Sequence, residues 1–352
     1  MKLIFFQNCI SPHQIPYIRE CVNNQRIENV YLIVPRTDYS MRRNMGWDSS
    51  GLLRETGINY LLKPLDEQVK ALLKKENVVC LFSGIRADVD VFHWLNLSFN
   101  YNVKRYIITE PPYTYNKPLW MHYIRFFIQD YRYIKHITGV FAIGQMAFDY
   151  YRSISKKWKV YPFQYVTENI KRTSAIALQG KLKLLFVGSL SSRKNVKVVL
   201  KSLIGLSDIE FSIVGNGEEE KELKQFVQSN NLSVTFLGVQ PMDKIPSIME
   251  KHDILILPSL HDGWGAVINE AMTLGLFVIA SDKCGAKALI KQDIQGRVFK
   301  SNDAFSLHNI LNECIINKEI IRQQQNKRLQ LCQIIQAPFV ADYFIQCLTE
   351  SL

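Results

Sequence analysis

The chain has 352 residues, 47% of them hydrophobic, and carries 43 Lys and Arg against 32 Asp and Glu for a net charge of +11. That length and apolar content suffice for large cores and favour two domains. Seven cysteines (Cys9, Cys21, Cys80, Cys284, Cys314, Cys332 and Cys347) are scattered without a CxxC pair, which argues for a reducing compartment and against a structural zinc. The charge is lopsided: residues 1–172 hold 24 Lys and Arg against 14 Asp and Glu, so nearly all of the excess lies in the first half. A basic half points to an anionic partner, whether a membrane surface, a phosphorylated acceptor or nucleic acid, with a merely solvated basic surface as the plain alternative.

The N-terminal run KLIFF (2–6) lacks a cleavage site and reads as a first strand, not a signal peptide. A helix from about Pro16 to Asn23 and a second strand at VYLIV (30–34) follow. Residues 36–56 are polar, contain glycine and group Arg36, Arg42 and Arg43; a long irregular stretch in a compact domain is often functional, and a plain exposed loop is the alternative. Strands at VVCLF (78–82) and YIITE (106–110) come next. The stretch KPLWMHYIRFFIQDYRYIKH (117–136) places Trp120, Tyr123, Ile124, Phe127, Ile128, Tyr131 and Ile134 at helical spacing, with Arg125, Arg132, Lys135 and His136 between them. Two readings stand: a core-facing helix with a polar side, or a helix lying in a bilayer interface. GVFAIG (139–144) reads as a strand, MAFDYYRSI as a helix and KVYPFQYV (159–166) as a last strand before a linker at 167–181. No run approaches the roughly 18 apolar residues of a membrane span, and the expected location is the cytoplasm.

From Lys181 strands and helices alternate: LKLLFVGSL, NVKVVLKSLIGL, FSIVGNG, EEEKELKQFVQSN, VTFLGV, KIPSIMEKH, DILILP. That alternation predicts a parallel, doubly wound sheet. The GNG at 215–217 lacks the spacing of a dinucleotide fingerprint, so no NAD site is expected. No DxD run beside a strand, HExxH or Cys/His cluster suggests a bound metal, and no recognisable nucleic-acid motif accompanies the charge.

The stretch DILILPSLHDGWGAVINEAMTLGLFVIASDKCGAKAL (253–289) organises the rest. It reads as a buried strand ended by Pro258, a glycine-bracketed loop, a helix from Ala266 to a natural stop at Gly275, and another buried strand. Such a loop feeding a helix at the carboxyl end of a strand is where α/β sheets hold phosphorylated ligands. Asp262 lies just before the helix and Glu270 two turns into it.

Asp262, Glu270, Ala271 and Met272, set in DGWG…NEAM…GL.VIASD, resemble the signature of the family 4 retaining glycosyltransferases: two acids separated by seven residues, then Ala-Met or Ala-Leu. Asp262 departs from the usual glutamate. The resemblance is strong over about 180–335 and only fold-level over 1–170. It implies an α/β chain of GT-B fold, two Rossmann-like doubly wound domains with an interdomain cleft: an acceptor-binding domain (1–170), a nucleotide-sugar-binding domain (171–337) and a C-terminal helix (338–352), bent at Pro338, returning to the first domain. It implies transfer of a sugar from a nucleotide-sugar to a hydroxyl, with retained configuration and no metal or other cofactor.

By the same resemblance, Asp262 would hold donor-sugar hydroxyls and Glu270 would accept from ribose hydroxyls. VGSLSSRKN resembles the family's G-Arg-Leu then Lys-Gly motif, with Ser189 and Asn195 standing where arginine and glycine often are. Arg193 and Lys194 would meet the diphosphate, together with the backbone N–H groups of Gly265, Ala266 and Val267. Gly188, Ser189, Gly215, Gly263 and Trp264 would line the donor, and Phe236, Leu237 and Gly238 resemble the turn that receives the base. Ala288 stands where many relatives carry an acid and Phe277 where proline is common. The first loop, QNCISPHQIP, lacks a glycine pair and resembles the Ser-Pro loop of polysaccharide-assembly members, which puts His13 in the cleft, a structural hydrogen-bonder being the alternative. Glu110, beside Thr109, follows a strand whose end lies near the cleft in the family and would meet the acceptor or the donor sugar, or else caps a turn. Arg42 and Arg43 belong to the irregular stretch 36–56, read as an acceptor-side loop or a plain exposed one. The basic, aromatic first half fits a lipid-linked glycan acceptor in lipopolysaccharide or capsule assembly and a peripheral site on an anionic inner membrane face. A soluble small-molecule acceptor, a relative that isomerises or cleaves sugar nucleotides, and a non-catalytic GT-B subunit are the alternatives.

Overall fold

The computed structural model describes residues 1–39, 50–54, 56–115, 117–170, 172–173 and 179–350. The chain divides into two compact units, the first running to Glu168 and resuming at Ala337, the second spanning Asn169–Gln336.

Seven strands build the first unit: β1 (Lys2–Phe6), β2 (Asn29–Val34), β3 (Ile58–Leu62), β4 (Val78–Ser83), β5 (Lys104–Thr109), β6 (Gly139–Ile143) and β7 (Lys159–Phe163). They form one sheet in the order β3-β2-β1-β4-β5-β6-β7, every neighbouring pair parallel. Because helices cover both faces, the central strands are continuous apolar runs. Phe6 of β1 stacks on Phe82 of β4 at 4.6 Å and leans on Trp94. On the other face, Phe344 of the helix Ala337–Thr349 packs against Phe5, Phe141 and Phe163.

The second unit repeats the plan with β8 (Leu182–Val187), β9 (Ile209–Val214), β10 (Val234–Gly238), β11 (Ile254–Leu257), β12 (Phe277–Ser281) and β13 (Gly296–Phe299). Their order is β10-β9-β8-β11-β12-β13, again all parallel. Both units are Rossmann-like. In each, the strand order reverses between the first and fourth strands, the point at which open α/β sheets take ligands at their carboxyl ends.

Three local expectations change. Strands β3 and β13 escape the sequence reading because both are sheet edges, with half-exposed side chains in place of a buried apolar run. The stretch 159–166 leaves the sheet at Phe163. The stretch 117–136 is not one helix: the α-helix Leu119–Gln129 stops at Asp130, and a 3₁₀ segment, Tyr131–His136, follows. The core-facing reading of its aromatic stripe holds only in part: Tyr123 and Ile134 pack against the core beside the buried Phe126, while Trp120, Ile124, Phe127, Ile128 and Tyr131 are exposed.

One described helical stretch, Gln325–Thr349, is long and apolar enough by length and composition alone to cross a membrane. Half of that apolar window is buried in the protein, where Val340, Phe344, Ile345 and Leu348 belong to the core. All seven cysteines are buried as thiols.

Candidate active site

The two strands at the switch point of the second unit, β8 and β11, feed the loops that carry the charged residues. After β8 the chain runs through Gly188 and Ser189 to Arg193 and Lys194, then enters the helix Val196–Ser202. Asn195 caps that helix in the left-handed region at φ 53°. Asparagine is among the few residues besides glycine that tolerate this conformation, so the departure from the Lys-Gly pattern leaves the turn intact.

The loop after β11 folds back on this one. Leu260 N–H donates to Arg193 O at 2.8 Å, and the Arg193 guanidinium donates to His261 O at 2.8 Å. Lys194 Nζ lies 2.6 Å from Asp262 Oδ2, and the lysine stem passes Gly188. Arg193 is thus tied to the loop backbone, and Lys194 is the cation facing the acid.

A third loop, after β12, props Asp262 from behind. Asp262 N–H donates to Lys283 O at 3.1 Å, Gly285 N–H to Asp262 O at 3.0 Å and Ala286 N–H to Trp264 O at 2.7 Å. Gly263 O sits so close to Gly285 that a Cβ there would lie 2.1 Å from it. Cys284 is buried in this seam, its thiol pushed up to about 11 by burial and then by the charge of Asp262.

The helix Val267–Thr273 begins at once. Gly265 takes φ +92°, and a Cβ there would strike Leu257, so only glycine makes the turn. Ile268 donates the first helical bond, to Gly265 O, so the N–H groups of Gly265, Ala266 and Val267 precede the ladder and point out of it. Trp264 is buried, and its indole N–H donates to Asn269 Oδ1 at 2.7 Å, so its side chain wedges the loop in place.

Glu270, one turn into this helix, retains only a narrow opening to solvent. Burial pushes its carboxyl up to about 7. The far end of the helix is held by side chains from later in the unit. Gln325 donates to Leu274 O and Arg328 to Gly275 O, placing a cation where the helix dipole is negative. Under them, Arg322 and Asp253 form a buried pair at 2.9 Å.

The remaining positions expected on the donor side lie along neighbouring strand ends. Gly188 N–H donates to Val214 O and Gly215 N–H to Gly238 O, joining the ends of β8, β9 and β10. Ser189 lies 3.4 Å from the Ser191 hydroxyl. Leu237 sits at a register shift in β10, half exposed, with its carbonyl accepting from Gln240. Phe277 is buried at the start of β12, and Ala288 is half-buried in the turn Gly285–Leu289.

In the first unit, two acceptor-side candidates meet through a residue the sequence reading passed over. Tyr165, two residues beyond β7, donates its hydroxyl to Glu110 Oε1 at 2.8 Å. Its ring lies 6.1 Å from that of His13, which is largely buried. Thr109 donates to Glu110 O at 3.1 Å. Within a run read as strand, nothing local distinguishes Tyr165. His261, which no sequence motif singles out, is buried beside Asp262, and burial first, then Arg193, lowers its pKa against the pull of Asp262. Arg42 and Arg43 lie outside the described residues.

Residues 167–330 match the model of the family "Glycosyl transferases group 1". An uncharacterized glycosyltransferase from Methanocaldococcus jannaschii is 31% identical over 39% of this chain and 39% of its own. An α-1,4-N-acetyl-D-galactosaminyltransferase from Campylobacter jejuni, whose name specifies a glycan on undecaprenol diphosphate, is 28% identical over 47% of each chain. These matches span less than half of the relatives' lengths. Among solved structures, HepE of Anabaena in complex with UDP superposes with a TM-score of 0.73 over 99% of this chain and 100% of its own, at 15% identity. The chain therefore has the GT-B glycosyltransferase fold, and its residues 167–330 form a glycosyl transferases group 1 domain.

Proposed function

We propose that this chain is a retaining glycosyltransferase that moves a sugar from a nucleoside diphosphate donor to a hydroxyl of a lipid-diphosphate-linked glycan during surface-polysaccharide assembly. The observation that carries the reading is the Lys194–Asp262 pair joining the two loops at the switch point of the second sheet, with the buried carboxyl of Glu270 on the helix that follows the second loop. In this reading Lys194 and the N–H groups of Gly265, Ala266 and Val267 meet the charge that develops on the leaving diphosphate, without a bound metal. Arg193 acts one step back, holding the acidic loop through His261 O. Glu270 accepts from ribose hydroxyls and Asp262 from hydroxyls of the donor sugar.

The donor class is supported by the UDP-bound Anabaena neighbour, and the acceptor class by the name of the Campylobacter relative. Donor hydrolysis and thermal stabilisation are to be measured across UDP-, GDP-, ADP- and TDP-sugars, with and without EDTA, then with a lipid-diphosphate-linked glycan added. One stabilising donor, slowly hydrolysed regardless of EDTA and transferred faster with the lipid-linked acceptor, is the expected result. NMR of the product should show the donor's anomeric configuration. Stabilisation by no donor would defeat the proposal, and EDTA-sensitive turnover would defeat its metal-independent form.

A further inference from the structure

The helix Leu119–Gln129 presents the wrong side for a soluble surface. Its inward face is narrow: Phe126 sets its ring edge-on to Trp158 at 5.7 Å, and Tyr123 lies against Tyr150, its hydroxyl 2.8 Å from that of Ser153. The opposite face carries Trp120, Ile124, Phe127 and Ile128, spaced i, i+4, i+7 and i+8, continued by Tyr131 and flanked by Met121. Ile128 is 77% exposed, Trp120 60% and Tyr131 59%. Scattered exposed apolar residues need no explanation, but a continuous face of five or six large ones marks a contact surface.

The charges around this face say what it contacts. Lys117, Arg125, Arg132 and Lys135 are exposed at its margins, and Arg152, Lys156 and Lys157 are exposed on and just after the helix Gln145–Ile154 packed beside it. Asp130, the one acid between 117 and 136, is buried and paired with Arg86. Asp149, on the neighbouring helix, is bonded by Gln145.

We propose that this face docks the first unit on an anionic lipid bilayer, with Trp120, Ile124, Phe127 and Ile128 entering the headgroup and acyl boundary and the surrounding cations facing acidic headgroups. Aromatic residues with a cationic rim suit that boundary, where one side is apolar and the other charged. A second copy of this chain is a poorer occupant, because it would set cations against cations.

The test uses the full chain without nucleotide sugar, so its outcome is independent of the donor reading. Vesicles of phosphatidylcholine alone are compared with vesicles of phosphatidylcholine and phosphatidylglycerol by co-sedimentation. Binding is expected to the mixed vesicles only, and to weaken as salt rises. Replacing Trp120, Phe127 and Ile128 together by serine should lower that binding roughly tenfold or more, with unchanged circular dichroism and unchanged donor hydrolysis. Should that variant misfold, the double reversal R125E/K135E tests the same point, with a loss of roughly tenfold or more expected. Wild type that ignores anionic vesicles, a folded variant that binds them as well as wild type, or a dimer in solution that the serine variant abolishes would overturn the proposal.

Discussion

Lys194 Nζ and Asp262 Oδ2 lie 2.6 Å apart, joining the loop after β8 to the loop after β11 across 68 positions of sequence. Both side chains are mostly withdrawn from solvent, so each is the other's principal charge partner. Substituting K194M leaves an unpaired carboxylate in a dry place and, on the proposed function, removes a cation from the donor diphosphate. We expect a stability loss of about 1–3 kcal/mol in urea unfolding and a fall in donor turnover of roughly 10- to 150-fold. The double variant K194M/D262N should be less unstable than the two single losses added together; strict additivity would mean that the pair does not interact.

Glu270 ties stability and ligand binding to pH in opposite directions. Its carboxyl is raised from 4.5 to about 7 by burial, so between those values the native state holds a proton that the unfolded chain releases. Stability should therefore fall as pH rises through that window and level off above it. On the proposed function the ionised form is the stronger acceptor for two ribose hydroxyls, so donor affinity should rise with pH through about 7, with net proton release on binding near neutrality. Calorimetry in buffers of different ionisation enthalpy measures that release, and E270Q should abolish it.

The bond from Tyr165 to Glu110 tests the proposed acceptor side separately from the donor side. Substituting Y165F removes one hydrogen bond to a carboxylate, about 1.5–3 kcal/mol. The expectation is an acceptor KM raised roughly tenfold or more, with donor hydrolysis in the absence of acceptor unchanged. A change in both would place Tyr165 in general folding instead.

Gly275 ends the helix that carries Glu270, at φ +77°, through a Schellman pair: Leu276 N–H to Ala271 O and Gly275 N–H to Met272 O. A Cβ there would lie 2.7 Å from Gln325 Cγ and 3.0 Å from Leu329 Cγ. G275A should lower stability by about 1 kcal/mol or more, read as a Tm lower by roughly 2–4 °C or more. An unchanged Tm would show that the buried Gln325 side chain yields freely.

Much of this molecule was legible before folding. Central strands such as Leu3–Phe6 and Ile254–Leu257 are buried on both faces and therefore write themselves as apolar runs. Their alternation with helical periods leaves a doubly wound sheet as the economical arrangement. Edge strands have one free side and write a weaker pattern, which is why Ile58–Leu62 and Gly296–Phe299 were not visible. The helix stop at Gly275 was visible too, because a left-handed C′ residue is a local requirement.

The sequence by itself determined what depends on neighbours along the chain: strand and helix periods, the two-unit alternation, and the spacing that puts Asp262 before a helix and Glu270 within it. Only the tertiary structure decided what depends on neighbours in space. It seats Lys194 on Asp262, Tyr165 on Glu110 and Trp264 inside the loop, and it turns the aromatic stripe of Leu119–Gln129 outward. It also raises the Glu270 carboxyl, because that shift comes from exclusion of water by surrounding residues. Periodicity fixes which side chains share a face. Which face meets solvent, and which charge meets which, is settled by packing between segments far apart in the chain.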